Sequence, residues 1–491
     1  MTSPRVVPFQ PPSSVFVRPT EFAEPAIRYS VKEIARRAGV AQEFWESWRV
    51  DCADRKWITV FPVAGSKKQI RFPRASGQFW ENLRNGIFQT SSAPWMHETG
   101  SSSGSDLLVR PYDSNGGTFL RVPFSSSPEE NVGPLFSSTT SDCIRCAVDL
   151  PTAAFLTLSR FEETLQGRRD PHGRFSVFST IAWREGFLDR PIVDEWGMAF
   201  EQALSRLLPN WKPATRRLRV NLSHDVDNIG IPFRPRSSAG HALRRGKPLA
   251  ALRDLAAQCR VAEPAYFRLL NKMISFASKR GLRPMVNWKA PESSLYDTGY
   301  DVRDSRVGAV ISAFRARGFE MGIHPSYGSF ASRAKLAGEV AFLQDFFEEK
   351  ALGGRQHYLR WTPALWEQWD DLGLAYDSSV GFADGVGFRA GTCYPYHPWL
   401  ASQNRQAKLL EIPLIVMDSA LKGYMKLAAH EALTCARELL ERCRAVGGVF
   451  SLLWHNTTLM DSKYTGGYLQ LLNDMANYEN YTGSAVTDGV Y

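Results

Sequence analysis

The sequence predicts an α/β protein, with a carboxyl-terminal parallel sheet, open or closed into a barrel, behind smaller α+β units. Three observations carry this. From residue 217 onward short apolar strands, near 217–223, 283–288, 319–323, 356–361, 374–377, 409–415 and 447–454, alternate with helical stretches such as 265–280, 304–317, 332–350 and 428–445. Repeated βα units make a parallel sheet whose functional groups gather at the carboxyl ends of its strands. A chain of 491 residues also exceeds what one hydrophobic core organises, so two or three domains are expected. Finally, Glu98-Thr-Gly-Ser-Ser-Ser-Gly-Ser105 is a break in composition that reads as a linker.

Taken in order, residues 1–27 are a Pro-rich, flexible lead-in without the basic-then-apolar order of a secretory signal. Residues 28–97 form a small helical and hairpin unit. Ser30 caps a helix over Val31–Ala38, Gly39 breaks it, and 41–49 is a second helix with Phe44, Trp45 and Trp48 on its apolar face. The outline is that of a helix-turn-helix, but Gln42, Glu43 and Glu46 would oppose phosphates, so it is read as a packing hairpin and no nucleic-acid partner is expected. Trp57 to Phe72 alternates like a hairpin turning at Gly65–Lys68. Residues 106–210 are an accessory α+β unit, with paired strands over 107–122, a helix over 149–165 and a closing amphipathic helix from Val193 to Leu208. The third unit spans 217–485.

Composition narrows the function. The chain is 44% hydrophobic, and none of its apolar runs approaches the ~18 residues that cross a bilayer, so a cytoplasmic place is expected. Seven cysteines spread over the length point to reduced thiols, the Cys143/Cys146 pair included. A net charge of +9 permits a phosphate-linked substrate without demanding one.

The chemistry concentrates at Leu222-Ser-His-Asp-Val-Asp-Asn228, directly after an alternating strand. Asp225 and Asp227 are two apart, so in an extended chain they face one side, and their mutual repulsion is relieved by a cation or a shared proton. A divalent metal, and hence a hydrolase, is the leading reading; the bland one is a polar strand end whose acids cap the next helix. Of nine histidines, four lie at or beside strand ends: His224, His324 in Glu320-Met-Gly-Ile-His-Pro-Ser-Tyr327, His357 in Arg355-Gln-His-Tyr-Leu-Arg-Trp361, and His455 after Gly447–Trp454. Any one alone would be a core histidine; four converging make a site.

These residues resemble the nodulation-type polysaccharide deacetylases, carbohydrate esterase family four, in a divergent branch whose first motif is Asp-x-Asp. The resemblance covers about 217–480. The strings Phe155-Leu-Thr-Leu-Ser-Arg-Phe-Glu-Glu163, Asp170-Pro-His-Gly-Arg-Phe175 and Phe187-Leu-Asp-Arg-Pro-Ile-Val-Asp194 resemble a domain of unknown function that accompanies such proteins in bacterial surface-polysaccharide loci. The resemblance implies a distorted, incomplete (β/α) barrel preceded by smaller α+β N-terminal domains, and metal-dependent removal of an N-acyl group from an amino sugar. With a cytoplasmic place expected and finished polymer outside the cell, a lipid-linked or nucleotide-linked precursor is the expected substrate. It implies Asp225 as general base, Asp227 and His324 as metal ligands, Arg360 as the arginine that orients the base, and His455 as general acid. The metal is a divalent ion, zinc first, with cobalt or nickel as alternatives.

One departure concerns the third ligand. The family's second motif carries His-x-x-x-His, whereas Gly328 stands four residues after His324. His357 is chosen, an imidazole suiting a zinc-like ion, with His224 second. In a regular strand His357 and Arg360 would face opposite sides, so both reach the site only if the strand ends or bulges between them. Tyr327, whose neighbourhood is assigned a backbone oxyanion donor, Asp384, Arg389 and Trp399 are assigned to substrate; Tyr394, Tyr396 and Trp399 could stack on sugar rings, against core packing as the commoner fate of aromatics, and Asp418 is a candidate orienter of His455. The rival readings are a deformylase or O-esterase on a similar glycan, and a degenerate glycan-binding barrel.

Overall fold

In a computed structural model the described residues are 24–76, 134–164, 169–230, 235–244, 246–256, 265–292, 294–297 and 299–478, with short pieces at 79, 95–96 and 119–120. Most of the lead-in, the linker at 98–105 and nearly all of the strand pair expected over 107–122 lie outside them; Phe119–Leu120 pairs antiparallel with Trp95–Met96 instead.

The first helix spans Glu24–Arg37, six residues earlier than the cap expected at Ser30. Ala26, Ile27, Ser30, Val31, Ile34 and Ala35 recur at helical spacing on its buried side, so the apolar stripe rather than the serine sets its start. Ser30 sits mid-helix with its hydroxyl on the Ala26 carbonyl at 2.8 Å. The second helix is only Gln42–Glu46, because Arg49–Asp51 already belongs to a sheet. That sheet runs Arg49–Asp51, Trp57–Phe61, Gln69–Pro73, Cys143–Cys146, Phe136–Thr140. Gln69–Pro73 pairs parallel with Cys143–Cys146 and every other pairing is antiparallel. This corrects the expected division between 28–97 and 106–210: both segments supply strands to one sheet, and Ile58, Val60, Ile70, Phe72 and Ile144 are buried in one core. Helices Leu150–Leu158 and Ile192–Leu207 complete this α+β unit, Phe200 packing against Trp48, Phe72 and Phe136.

The carboxyl-terminal unit is a mixed α/β arrangement around parallel strands. Glu320–Ile323, Met285–Trp288, Arg219–Asp225, Val449–Leu453 and Val416–Met417 lie side by side in that order. Beyond Ile323 the array continues through Gly354, which bridges Ile323 on one side and Asp377 on the other, and then through Tyr376–Asp377 to Leu410–Glu411. The segment 410–417 therefore starts against Asp377 and ends against Leu452–Leu453, joining the two ends of the array. Gly354 has to be glycine: a Cβ there would fall 1.9 Å from the Ile323 carbonyl oxygen.

The strand expected over 356–361 is absent. The chain leaves the array after Gly354, and His357–Leu359 is a tight turn with Tyr358 and Leu359 at φ of 64° and 51°. The left-handed pair breaks the alternation that would have sent His357 and Arg360 to opposite faces.

The units are joined by buried charge. Arg37 and Asp194, paired at 2.8 Å within the first unit, both bond the Thr392 hydroxyl of the second, and Glu163 receives Arg389 at 2.5 and 2.9 Å.

Candidate metal centre

The five side-by-side strands of the parallel array each deliver a polar group at or just beyond the carboxyl end. Asp225 is the last residue of Arg219–Asp225 and is buried. It accepts from Asn287 Nδ2 at 2.7 Å and from the Arg355 guanidinium at 3.0 Å. Burial alone would raise its pKa, but the Arg355 charge, helped by His324, His455 and the Asn287 amide, holds it below the ordinary carboxylate range.

Asp227 lies two residues on. Its Oδ1 is 3.2 Å from His324 Nε2, 3.1 Å from His357 Nε2 and 3.1 Å from Lys289 Nζ. Burial pushes this carboxyl up too, yet Lys289, His357 and His324 hold it well below its usual value. Asp227, His324 and His357 each offer one ligand atom, all within 4.8 Å of one another.

The imidazoles are fixed from behind. The far nitrogen of His324 faces the Arg355 carbonyl at 2.6 Å, and that of His357 faces Asp297 Oδ1 at 2.7 Å. Both carbonyl and carboxylate are acceptors, so Nδ1 of each ring carries a proton, and Nε2, on the Asp227 side, is the nitrogen a metal could take. Burial lowers the pKa of His324, favouring the neutral form that ligates. Asp227 Oδ1 is itself buried with no hydrogen bond of proper geometry. Two imidazole lone pairs and one such carboxylate oxygen fit a borderline divalent ion better than a hard, all-oxygen one.

Across the cavity His455 follows Val449–Leu453. Its Nδ1 meets Asp418 Oδ1 at 2.6 Å, its backbone N–H donates to Asp418 Oδ2 at 2.9 Å, and its Nε2 lies 3.6 Å from Asp227 Oδ2. Burial would lower its pKa; Asp418, with Asp227 and Asp225, outweighs this and lifts it to about 9. A cavity of about 290 Å³ connects these groups, with Tyr358, Tyr424 and Arg174 on its wall.

The structure brings Asp227, His324 and His357, the expected ligands, together with their candidate ligand atoms within 4.8 Å of one another, and places Asp225 and His455 on the same cavity. His224, the alternative ligand, is in the core, its ring on the Trp454 carbonyl at 2.8 Å and near the Tyr468 hydroxyl.

Other expectations are corrected. The guanidinium on Asp225 is Arg355, not Arg360. Arg360 donates instead to the carbonyls of Tyr327 at 2.7 Å and His172 at 3.0 Å, and lies over the Tyr327 and Phe330 rings, because the turn at 357–359 carries it away from the array. Tyr327 stacks on Tyr296 at 4.1 Å, and its own N–H, in the neighbourhood where an oxyanion donor is expected, is taken by Asp297. Asp384 accepts from Ser176 and Val177, Arg389 is paired with Glu163, and Trp399 is buried beside Tyr29 and Phe155. All three hold the two units together rather than facing the cavity.

Sequence reasoning passed over Arg355, Asn287, Lys289 and Asp297. Lys289 follows directly on the expected strand 283–288, so the rule that picked His324 would have picked it. Asp297 sits in a loop with no spacing signal.

Among known proteins, residues 68–209 match a family of unknown function (DUF7033). No curated protein matches the chain. Solved structures similar to it include a provisionally assigned polysaccharide deacetylase from Mycobacterium smegmatis, 13% identical over 56% of this chain and 90% of that one, with a TM-score of 0.39. An allantoinase is 14% identical over 57% and 91%, with a TM-score of 0.38. A provisionally assigned polysaccharide deacetylase involved in O-antigen biosynthesis, from Bordetella bronchiseptica, is 14% identical over 55% and 88%, with a TM-score of 0.28. At such identities and scores, the reading of the site rests on its own geometry.

Proposed function

We propose that the chain is a metal-dependent hydrolase that removes an N-acyl group from an acylated amino sugar in bacterial surface-polysaccharide biosynthesis. The observation that carries this is the meeting of Asp227, His324 and His357, with Asp225 and His455 on the same cavity. In this reading the joined parallel array is a distorted, incomplete (β/α) barrel, and the α+β unit before it walls the cavity through Arg174.

Asp227, His324 and His357 hold a divalent ion, zinc first, with cobalt or nickel as alternatives. When bound, such an ion polarises an acyl carbonyl and acidifies water. Asp225, kept ionised by Arg355 and Asn287, takes the proton of the attacking water. His455, kept protonated by Asp418, gives a proton to the departing amine, which leaves poorly as an anion. Asp297 and the Arg355 carbonyl hold the two ligand imidazoles in the required tautomer.

A cytoplasmic place, which the absence of any long apolar helix among the described residues permits, makes a lipid-linked or nucleotide-linked precursor the substrate, its phosphates suiting the net positive charge. Full-length protein loaded with zinc should release acetate and free amine in equal amounts from such donors. Activity that survives both chelation and Asp227→Ala removes the proposal; formate without acetate, or acetate without amine, turns it to a deformylase or an O-esterase.

A further inference from the structure

The strand Met285–Trp288 runs directly into Lys289, which is 1% exposed and enters the metal cluster from the side. Its backbone N–H donates to the Tyr300 hydroxyl at 3.1 Å, which anchors the root of the side chain. Its ammonium lies 3.1 Å from Asp227 Oδ1, 3.3 Å from Asp297 Oδ1 and against the His357 ring, 3.0 Å from Nε2 and 3.1 Å from Nδ1. Asp227 Oδ1 and His357 Nε2 are the atoms a divalent ion would take. Among the described residues, Lys289 is the one Lys or Arg paired with either Asp227 or Asp297, whereas Asp225 has Arg355 to itself.

An ammonium only donates, and here its charge sits against the Asp227 and Asp297 carboxylates and the His357 ring. A divalent ion on Asp227 Oδ1 and His357 Nε2 would need the same space. Two cations cannot share it at about 3 Å in a buried site, where their repulsion is weakly screened. The lysine stem is flexible, and Asp297 Oδ1, which His357 Nδ1 already holds on the far side of the ring, leaves the ammonium a partner when Asp227 is taken.

We propose that Lys289 is a built-in counter-ion that competes with the divalent ion for Asp227 and His357, and withdraws to Asp297 when the ion binds. This deepens, and rests on, the metal-dependent reading of the site. The consequence is a cluster whose carboxylates are neutralised before loading, at the expense of affinity for the ion. Lys289 is in this sense a positioning residue for the ligands.

The test compares full-length wild type with Lys289→Met, which keeps the length of the stem and removes the charge. Zinc affinity is measured by competition with a chromogenic chelator, and thermal unfolding is followed with and without zinc. We expect the variant to bind zinc roughly tenfold tighter or more. We also expect its zinc-free form to melt below wild type, and zinc to raise its Tm by more. Lys289→Gln, which retains an N–H donor, should move in the same direction and serves if the methionine variant does not fold. Equal or weaker zinc binding in the variants, with wild type still binding stoichiometrically, overturns the inference and leaves the metal reading standing. If neither wild type nor variant binds zinc, cobalt or nickel, both fall. Hydrolysis that persists in metal-free wild type and vanishes on Lys289→Met overturns the inference by making the ammonium itself the electrophile.

Discussion

Replacing Arg355 by Met should damage the protein far more than the same change at Arg360. Arg355 is fully buried and each end of its guanidinium is used. It donates to Asp225 and Ser223 Oγ at 3.0 Å, to the Ser378 carbonyl at 2.8 Å and to Ser378 Oγ at 2.9 Å. Arg355→Met leaves Asp225 buried with Asn287 as its remaining close donor, and breaking one side of a buried ion pair costs about 3–5 kcal/mol. Arg360 lies partly buried and makes two hydrogen bonds to backbone carbonyls, worth about 1–3 kcal/mol together, and no ion pair to an acid of the cluster. The mid-range values, about 4 against about 2 kcal/mol, separate the variants by about 2 kcal/mol, several degrees in Tm for a unit of this size. Thermal unfolding of both variants with wild type measures it, and initial deacetylation rates at fixed zinc give the second readout. Arg355→Met should abolish turnover through the displaced Asp225, while Arg360→Met should retain a measurable rate. If Arg360→Met is the more damaging in both measurements, the assignment of Arg355 to Asp225 is wrong.

Three further outcomes are expected. Asp297→Asn should weaken zinc binding about 10- to 100-fold in chelator competition, because the carboxylate that orients His357 is gone; an unchanged constant would remove Asp297 from the centre. Arg389→Met should lower Tm through the loss of one of the two arginines on buried Glu163, with KM unchanged, and a rise in KM at constant stability would restore Arg389 to substrate binding. Glu33 carries a pH dependence. Burial raises its pKa, but Arg36 and Arg37 hold it at about 2 in the folded chain against 4.5 ordinarily. Its contribution is therefore fully present above about pH 4.5 and is lost as pH falls towards 2, about 3 kcal/mol in all. The stability gap between wild type and Glu33→Gln should shrink over that interval, and a gap that does not change with pH contradicts it.

How much was legible in the sequence depends on the range of the interaction. Alternation and helical spacing are local, so the βα rhythm after 217, the hairpin at 57–73 and the helices at 265–278, 305–316, 333–347 and 429–446 could be read along the chain. The ends of those elements were less legible: the first helix begins at Glu24 because Ala26 and Ile27 are buried, which depends on what packs there. The residues of the cluster were legible for the same reason as the strands. Asp225, Asp227, His324 and His455 each follow an apolar run, and a parallel array brings such positions together.

What the neighbours do with each side chain was not legible. Arg355 and Arg360 look equivalent in Arg355-Gln-His-Tyr-Leu-Arg360, and only the left-handed turn at Tyr358 and Leu359 sends one beside Asp225 and the other out to Tyr327. Asp384, Arg389 and Trp399 have the composition of a sugar-binding loop, yet Ser176, Glu163, Tyr29 and Phe155, more than 200 residues away in chain order for Glu163 and Arg389, claim them for the joint between units. By itself the sequence determined the α/β class, the repeating strands and which polar residues stand at their ends, because periodicity and strand polarity are properties of short segments. The tertiary structure alone decided the pairing of Asp225 with Arg355, the partners of His324 Nδ1 and His357 Nδ1, and the placing of Lys289 beside Asp227 and His357, because each depends on distances between segments that the chain order leaves free.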